Sequence, residues 1–565
     1  EDALKDYDKA IELDPKDPEN FNGRGNSLDL LGKHEEAIKD FDIAIKLDPG
    51  QSYYFFNRGL SLHNLEKYED ALKDYDKAIE LDPKDPVNFY SRGNSLHSLG
   101  KYEEAIKAFD KAIDIDQKYA NAYINRGFSR YVNSENELAE DDFNKGLELG
   151  SDNVETVSTA YLNLGAIKFD LGEYKKSIEY YDKALVIKPK DPDLFYARGA
   201  AKSSLNEYEE AIKDFNKAIK NDPNHYESYF YRGYIKTELN EYEEAIKDLD
   251  IVIENAKDKE IIFLSYLNRG FAKSKLEEFK KAFEDTKKSL EIYSSDPENI
   301  FLAHSNLGYL KTKINDLNGA MKEYKKALNF KNEKTSKDFQ ALFYNGRGYT
   351  KTKLKLFEDA IKDFDEGIKF NSEEVNIYIN RGIAKNELGN FNEAIKDFNT
   401  AIELDEDNEN TYLNRAISYF GLDKYYNVIN DNMKVIELDP KNEVAYRYLG
   451  LAKLELNDFY NSIYDLSKAI QINPSDTKSY GAICLAKFMQ ENYLFALEDC
   501  STAINLDPTG GKDGYLYNYR ANIYLKLSKT NNACEDFEKA IRYGFKYNKN
   551  LKITNRIYNY KNCKL

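Results

Sequence analysis

The chain has 565 residues, with 99 acidic against 81 basic side chains, a formal net charge of −18 and 41% apolar residues. That balance argues against a surface built for phosphate backbones, and no apolar run approaches the roughly 18 residues of a membrane span, so neither nucleic acid nor a bilayer is an expected partner. Length on this scale ordinarily means several domains, yet no run of Pro, Gly or Ser interrupts the chain to link them.

The first residues, EDALKDYDKAIELDP, match residues 69–83 almost position for position. The chain thus enters in the middle of an amphipathic helix. Residues 1–17 are assigned to the second helix of a truncated repeat, in which Ala3, Leu4, Tyr7, Ala10 and Ile11 lack half their packing. The expectation is a fragment of a longer chain, with no view of a signal peptide.

From Gly25 onward a fixed period takes over. Gly25, Gly59, Gly93 and Gly127 stand 34 residues apart, as do Gly165, Gly199 and Gly233, and later Gly348, Gly382, Ala416, Gly450 and Cys484. Each unit holds two segments with apolar residues at helical spacing. In residues 99–113, LGKYEEAIKAFDKAI, the side chains of Tyr102, Ala105, Ile106, Phe109, Ala112 and Ile113 fall on one face. A short turn joins the segments, usually through Gly or Asn, as at Gly32, Gly100, Asn206 and Gly389. The second segment ends at Asp-Pro or Lys-Pro, as at Pro15, Pro49, Pro83 and Pro189, because proline disfavours a helical residue before it and suits the start of the next helix. A period of this length means a solenoid, whose units bury their apolar faces only by stacking on neighbours.

The pattern resembles the tetratricopeptide repeat. The third repeat carries it on Gly93, Gly100, Tyr102, Ala105, Phe109 and Ala112, and departs at Gln117, where the family has Pro. The resemblance recurs about fifteen times and implies an all-α fold, a right-handed α-solenoid superhelix of tandem antiparallel helix pairs spanning residues 18–545. The net charge counts against the pentatricopeptide plan, which has a similar period and binds RNA.

Spacing grows at five points: 38 residues from Gly127 to Gly165, 37 from Gly233 to Gly270, 38 to Gly308, 40 to Gly348, and 37 from Cys484 to Ala521. Each addition is a longer loop or about one helical turn, and three of them cluster between Gly233 and Gly348. The last repeats are degenerate. Beyond Ala540 only basic charges appear, and residues 546–565 are expected to form a basic C-terminal capping segment.

No Gly-rich phosphate loop, HExxH or GxSxG motif is present. Carboxylates lie at helical spacing from lysines, as Glu103 and Lys107 do, which marks a solvated face. No catalytic residue, cofactor or metal is expected. His63 and His97 hold the same repeat position, but two imidazoles alone make a poor metal site. Cys484 and Cys500 occupy the Gly and aromatic positions of one repeat and should lie close, as small buried hydrophobes in a reducing, cytoplasmic compartment.

One constellation recurs. Arg precedes the Gly in eleven repeats, and sixteen residues later stands Asp in ten of them, from Arg24 and Asp40 to Arg520 and Asp536; Ala108 is the exception. Leu164 and Leu307 replace the Arg where the Asp is also gone, whereas Asp465 and Asp499 persist without one. The expectation is an ion pair between the two helices of a repeat; the rival is a row of arginines facing a ligand.

The resemblance implies that the second, fifth, ninth and twelfth positions of each repeat face a concave groove. Aromatic residues at the fifth and ninth positions, Phe56, Tyr90, Phe128, Tyr196, Phe230, Tyr234, Phe271, Tyr309 and Tyr349, are the candidate partner-binding residues; the alternative is that they pack between neighbouring first helices. The family's two-carboxylate clamp is incomplete. Asn57, Asn125, Asn268, Asn380 and Asn414 supply its Asn type, but Val87 and Ser91 stand where cations would be needed. The function expected is a non-catalytic, monomeric scaffold holding an extended segment or a helix of a partner protein. The alternative is a substrate-recruiting or regulatory arm of a larger enzyme.

Overall fold

The structure, a computed structural model, describes residues 2–292 and 294–545; the basic segment expected at 546–565 lies outside them. The described residues form thirty-one α-helices and one 3-10 turn and contain no strand. The chain divides into two compact units, Glu1–Leu276 and Glu277–Leu565. Within each unit the fold is an all-α solenoid, in which successive helices pair antiparallel and each pair packs on the next. The first unit runs from helix Asp2–Leu13 to helix Lys259–Lys275, and the second from Phe279–Glu291 to Thr530–Arg542. Helix Asp2–Leu13 has no fully buried residue.

The third repeat shows how the sequence makes the pair. Pro86 opens the first helix, Pro86–Ser98, and the Asp85 side chain accepts from the Val87 N–H at 2.9 Å, satisfying one of the free donors of the first turn. The helix stops at Leu99, and Gly100 adopts φ +74° to turn the chain into Tyr102–Ile115. The same left-handed position recurs in every repeat from Gly32 to Ser528, but Glu66, Asp423 and Lys355 take it as well as Gly and Asn. A Cβ added to Gly93 would stand 2.6 Å from the Phe109 ring, and the same holds at Gly382 against Phe398. The missing side chain lets the aromatic of the second helix close on the first. Ala105 and Phe109 are fully buried there.

The added residues of the long-spaced repeats go mainly into the first helix. Val154–Asp170, Lys259–Lys275, Pro297–Lys313 and Lys337–Lys353 have 17 residues each, against 13 in Pro86–Ser98. Four residues is one helical turn. Between Cys484 and Ala521 the insertion forms the 3-10 turn Lys512–Gly514 instead.

The arginines form ion pairs. Arg24 donates through Nε and Nη2 to the two oxygens of Asp40 at 2.7 Å each, and Arg126, Arg198, Arg381 and Arg520 hold Asp142, Asp214, Asp397 and Asp536 in the same forked way. The third guanidinium nitrogen reaches back to the preceding repeat, Arg24 to Asp8 at 2.8 Å, Arg126 to Asp110 and Arg381 to Asp365 at 2.6 Å. Arg92, facing Ala108, keeps only this backward contact, to Asp76 at 2.7 Å. One side chain therefore joins three helices, and the sequence reading had found only the forward half.

A second cation completes the site. Lys202, Lys236 and Lys385 reach Asp214, Asp248 and Asp397 at 2.7–2.8 Å. The same position explains the aspartates that persist without an arginine, because Lys453 holds Asp465 and Lys487 holds Asp499, both at 2.6 Å. Where Leu307 replaces the arginine, Glu323 receives Lys311 at 2.8 Å and His304 at 2.9 Å. Where Leu164 and Leu449 do so, the usual Ala of the second helix is Ser177 or Ser462, whose hydroxyl donates to the carbonyl of Gly165 or Gly450 at 2.7 Å.

The repeat of Cys484 departs furthest. Cys484 and Cys500 are buried, as expected, but they are not free thiols: a disulfide of 2.00 Å joins them, with Cα atoms 5.3 Å apart. The pairing of the Gly position with the aromatic position puts two Cβ atoms where a disulfide spans, and the bond replaces the ring-on-glycine contact. It is at odds with the reducing compartment expected from the sequence.

Four of these aspartates are shifted, in two opposite directions. Burial pushes the Asp214 carboxyl up, but hydrogen bonds from Arg198 and Lys202 outweigh it and hold the group below the usual carboxylate range. Burial wins at Asp431, Asp465 and Asp499, against the single cations Arg415, Lys453 and Lys487, and raises them. The signs of their linkage to pH are opposite. The contribution of Asp214 is in place above the unfolded carboxylate pKa of about 4 and is lost as pH falls through its folded value. The contribution of the other three is present in acid and is lost as pH rises through their raised values.

Asp214→Asn is therefore expected to destabilise its repeat by about 3 kcal/mol at neutral pH, and Asp465→Asn to stay within about 1 kcal/mol of the parent. Native-state hydrogen exchange of Tyr208–Asn221 and Phe459–Ile472 reads both, and equal losses would contradict the opposite shifts. Peptide mapping without reduction should recover Cys484 and Cys500 in one linked peptide. Replacing both by Ala should cost about 3 kcal/mol locally, the scale for a closed loop of this size.

Candidate functional site

The side of each unit available for a ligand follows from the packing. First helices touch the first helices of the next repeat, as Pro297–Lys313 touches Lys337–Lys353, while second helices meet chiefly the first helices on either side. The first helices thus line the inner face, and their fifth and ninth positions differ in what they meet.

The fifth-position rings are engaged inside the stack, on the second helix of their own repeat and, for Tyr90 and Tyr196, on the next repeat as well. Phe56 packs on Tyr75 with centroids 6.0 Å apart. Tyr90 lies against Phe109 and Tyr119 at 5.9 and 5.0 Å, and its hydroxyl accepts from Asn125 at 3.0 Å. Tyr196 sits among Phe215, His225 and Tyr231, at 6.2, 5.3 and 5.5 Å. Phe230 is only 7% exposed and belongs to a cluster with Leu249 and Val252. Burial raises the Tyr90 and Tyr196 hydroxyls.

The ninth-position rings are more open. Tyr234 and Phe271 in the first unit are 40% and 41% exposed, and Tyr309 in the second is 37% exposed. Tyr349 is half-buried, and Phe128 lies tilted against His97 with centroids 4.7 Å apart. The asparagines of the incomplete clamp are already bonded: Asn57 to Asn22, Asn125 to Asn94 and Asn380 to Asn345 at 2.8–2.9 Å, and Asn268 and Asn414 to the carbonyls of Leu264 and Asn410.

The two histidines singled out by position do not meet each other. His63 bonds the Ser95 hydroxyl at 2.8 Å and His97 that of Ser129 at 2.9 Å, each one repeat on, and burial lowers both imidazoles. Among the described residues no group of three or more His, Cys, Asp or Glu could hold a metal ion, and no helix is long and apolar enough to cross a membrane. Sequence reasoning missed Lys313 and Lys353, the last residues of two of the lengthened first helices. The Lys313 ammonium lies 5.3 Å from the Tyr309 ring centre and 5.7 Å from that of Tyr349, and Lys353 lies 5.3 Å from Tyr349. The signal was available in the recurrence of aromatic-x-x-x-Lys at Tyr309 and Tyr349.

Helix pairs in tandem, glycine under an aromatic ring and an exposed inner row define an α-solenoid of the interaction-scaffold class. Family models described as tetratricopeptide repeat match residues 6–39, 52–85, 74–107, 192–225, 215–247 and 515–543, and one described as TPR repeat matches 93–133, 165–205 and 384–423. The chain belongs to the tetratricopeptide repeat proteins. Among solved structures, it is 25% identical to YrrB, described as a TPR protein with an unusual peptide-binding site, over 33% of this chain and 95% of that one, with a TM-score of 0.30. It is 21% identical to a tetratricopeptide repeat protein from Parabacteroides merdae, over 44% and 98%, with a TM-score of 0.36. With the TPR domain of P58(IPK) it shares 17% identity over 66% and 98%, with a TM-score of 0.31. No curated protein matches the sequence.

The contrast between fifth and ninth positions is directly measurable. Phe230→Ser is expected to cost about 3–5 kcal/mol of local stability, as for truncating a buried ring, and Tyr234→Ser less than about 1 kcal/mol. Thermal melts followed by circular dichroism would compare the two; similar losses would place Tyr234 in the core.

Proposed function

We propose that the chain is a non-catalytic, monomeric scaffold that holds an extended segment or a helix of a partner protein along the inner face of its first helices. The observation that carries this reading is the exposure of ninth-position rings on the first helices of each unit, Tyr234 and Phe271 in the first and Tyr309 in the second. Exposed aromatics offer large contact area with few rotors to freeze. Membership of the repeat family supports the scaffold class, whose members are generally non-catalytic. The arginine row does not compete as a ligand site, because its guanidinium nitrogens are bonded within the stack, to aspartates at Arg24 and to an aspartate and an asparagine at Arg232 and Arg415.

The test is an affinity capture from lysate of the source organism with the intact chain and with Tyr234→Ser/Phe271→Ser, which leaves the buried Phe230 in place. A protein retained by the intact chain and lost by a variant with an unchanged melt is the expected result. Equal retention by both would move the site off these rings.

A further inference from the structure

On the inner face of the second unit, the lengthened first helices Pro297–Lys313 and Lys337–Lys353 carry two kinds of lysine. Lys311 and Lys351 are spent inside the stack, on Glu323 and Asp363 at 2.8 and 2.7 Å. Two residues further on, Lys313 and Lys353 are exposed, and among the described residues neither has a carboxylate within ion-pair distance. They rest on rings instead, Lys313 on Tyr309, Tyr349 and Phe279 at 5.3, 5.7 and 5.8 Å, and Lys353 on Tyr349 at 5.3 Å. A ring face attracts an ammonium but accepts few of its three N–H bonds, so donors remain for an anion. The second, fifth, ninth and twelfth positions of the two helices are Leu302, Ser305, Tyr309 and Thr312, and Leu342, Asn345, Tyr349 and Thr352, without a carboxylate. Most first helices lack a carboxylate at these positions; what distinguishes this adjacent pair is that each also ends on an exposed lysine held on a ring and not on a carboxylate.

We propose that this strip selects an extended partner segment in which carboxylates alternate with apolar side chains, the carboxylates bonding Lys313 and Lys353 and the apolar groups packing on Tyr309, Tyr349 and the exposed Leu342. The proposal rests on the inner-face reading above and adds the partner's chemistry to it. Side chains of an extended strand alternate in direction, so one face of it meets the rings while flanking carboxylates reach the helix ends. An acidic peptide fits better than a nucleic acid, since the surrounding negative charge opposes a continuous polyanion while two isolated cations suit spaced carboxylates.

The experiment uses the full chain and three fluorescein-labelled probes, read by anisotropy: a short peptide alternating Glu and Leu, its Gln and Leu counterpart, and an oligothymidine. The intact chain should bind the Glu peptide about tenfold more tightly than the Gln peptide, the scale of two partly screened charge contacts. Lys313→Ala/Lys353→Ala should remove that difference, while Tyr309→Ser/Tyr349→Ser should weaken both peptides; circular dichroism checks that each variant folds. A preference for the Glu peptide that survives the lysine variant overturns the proposal, and so does tighter binding of oligothymidine. Equal binding of the two peptides, lost in the tyrosine variant, overturns acid selection and leaves the inner-face scaffold standing. No binding of the Glu peptide overturns the proposal, while the lysate capture, which uses rings of the other unit, decides the scaffold reading separately.

Discussion

One guanidinium bound to carboxylates of two different second helices is the contact on which the stack depends. A helix pair has no closed core of its own, so its stability lies in the interface to the next pair. Arg24, Arg126 and Arg381 fix both the pair and that interface with one planar group, whose fork matches a carboxylate bidentately and leaves a nitrogen for the neighbour. Such pairs are weak sources of net stability when buried, yet breaking one is costly, so they act more on register than on total free energy. Repeats that lost the arginine each carry another tie at the same level: Ser177 and Ser462 on glycine carbonyls, Glu323 under Lys311 and His304, and the bond between Cys484 and Cys500.

Much of this was legible in the sequence, and the limits have physical causes. The helix pairs follow from apolar periodicity and the spaced glycines, because both depend on contacts inside one repeat. The forward Arg–Asp pairing was readable at sixteen residues. The backward one, on Asp8, Asp42 and Asp110, has the same spacing in the other direction but crosses into the preceding repeat. The fifth and ninth positions share one apolar pattern, and only the packing separates them: Phe230 is covered in a cluster with Leu249 and Val252 of its own repeat, and Tyr234 is open. The cysteines were placed side by side correctly, but proximity alone does not specify oxidation.

The charges are sorted by depth. Carboxylates and cations that hold the repeats together lie between helices, where they are used up by each other. What the inner face presents is therefore set by the few positions outside that network. On Pro297–Lys313 and Lys337–Lys353 these include Tyr309, Tyr349, Lys313 and Lys353, carried on helices extended by one turn at their start, so the inserted residues enlarge the face without disturbing the Gly348–Phe364 contact behind it.

The disulfide has a mechanical consequence. A stack whose repeats touch only their neighbours, when pulled from its ends, gives way one repeat after another, each releasing its full length of chain. The covalent bond joins Cys484 to Cys500, 16 positions apart in sequence, and bypasses the chain between them. That repeat can lose its helices yet releases about 50 Å less of extended chain than an unlinked one. Under load it is a short step among long ones, placed where the arginine tie is missing.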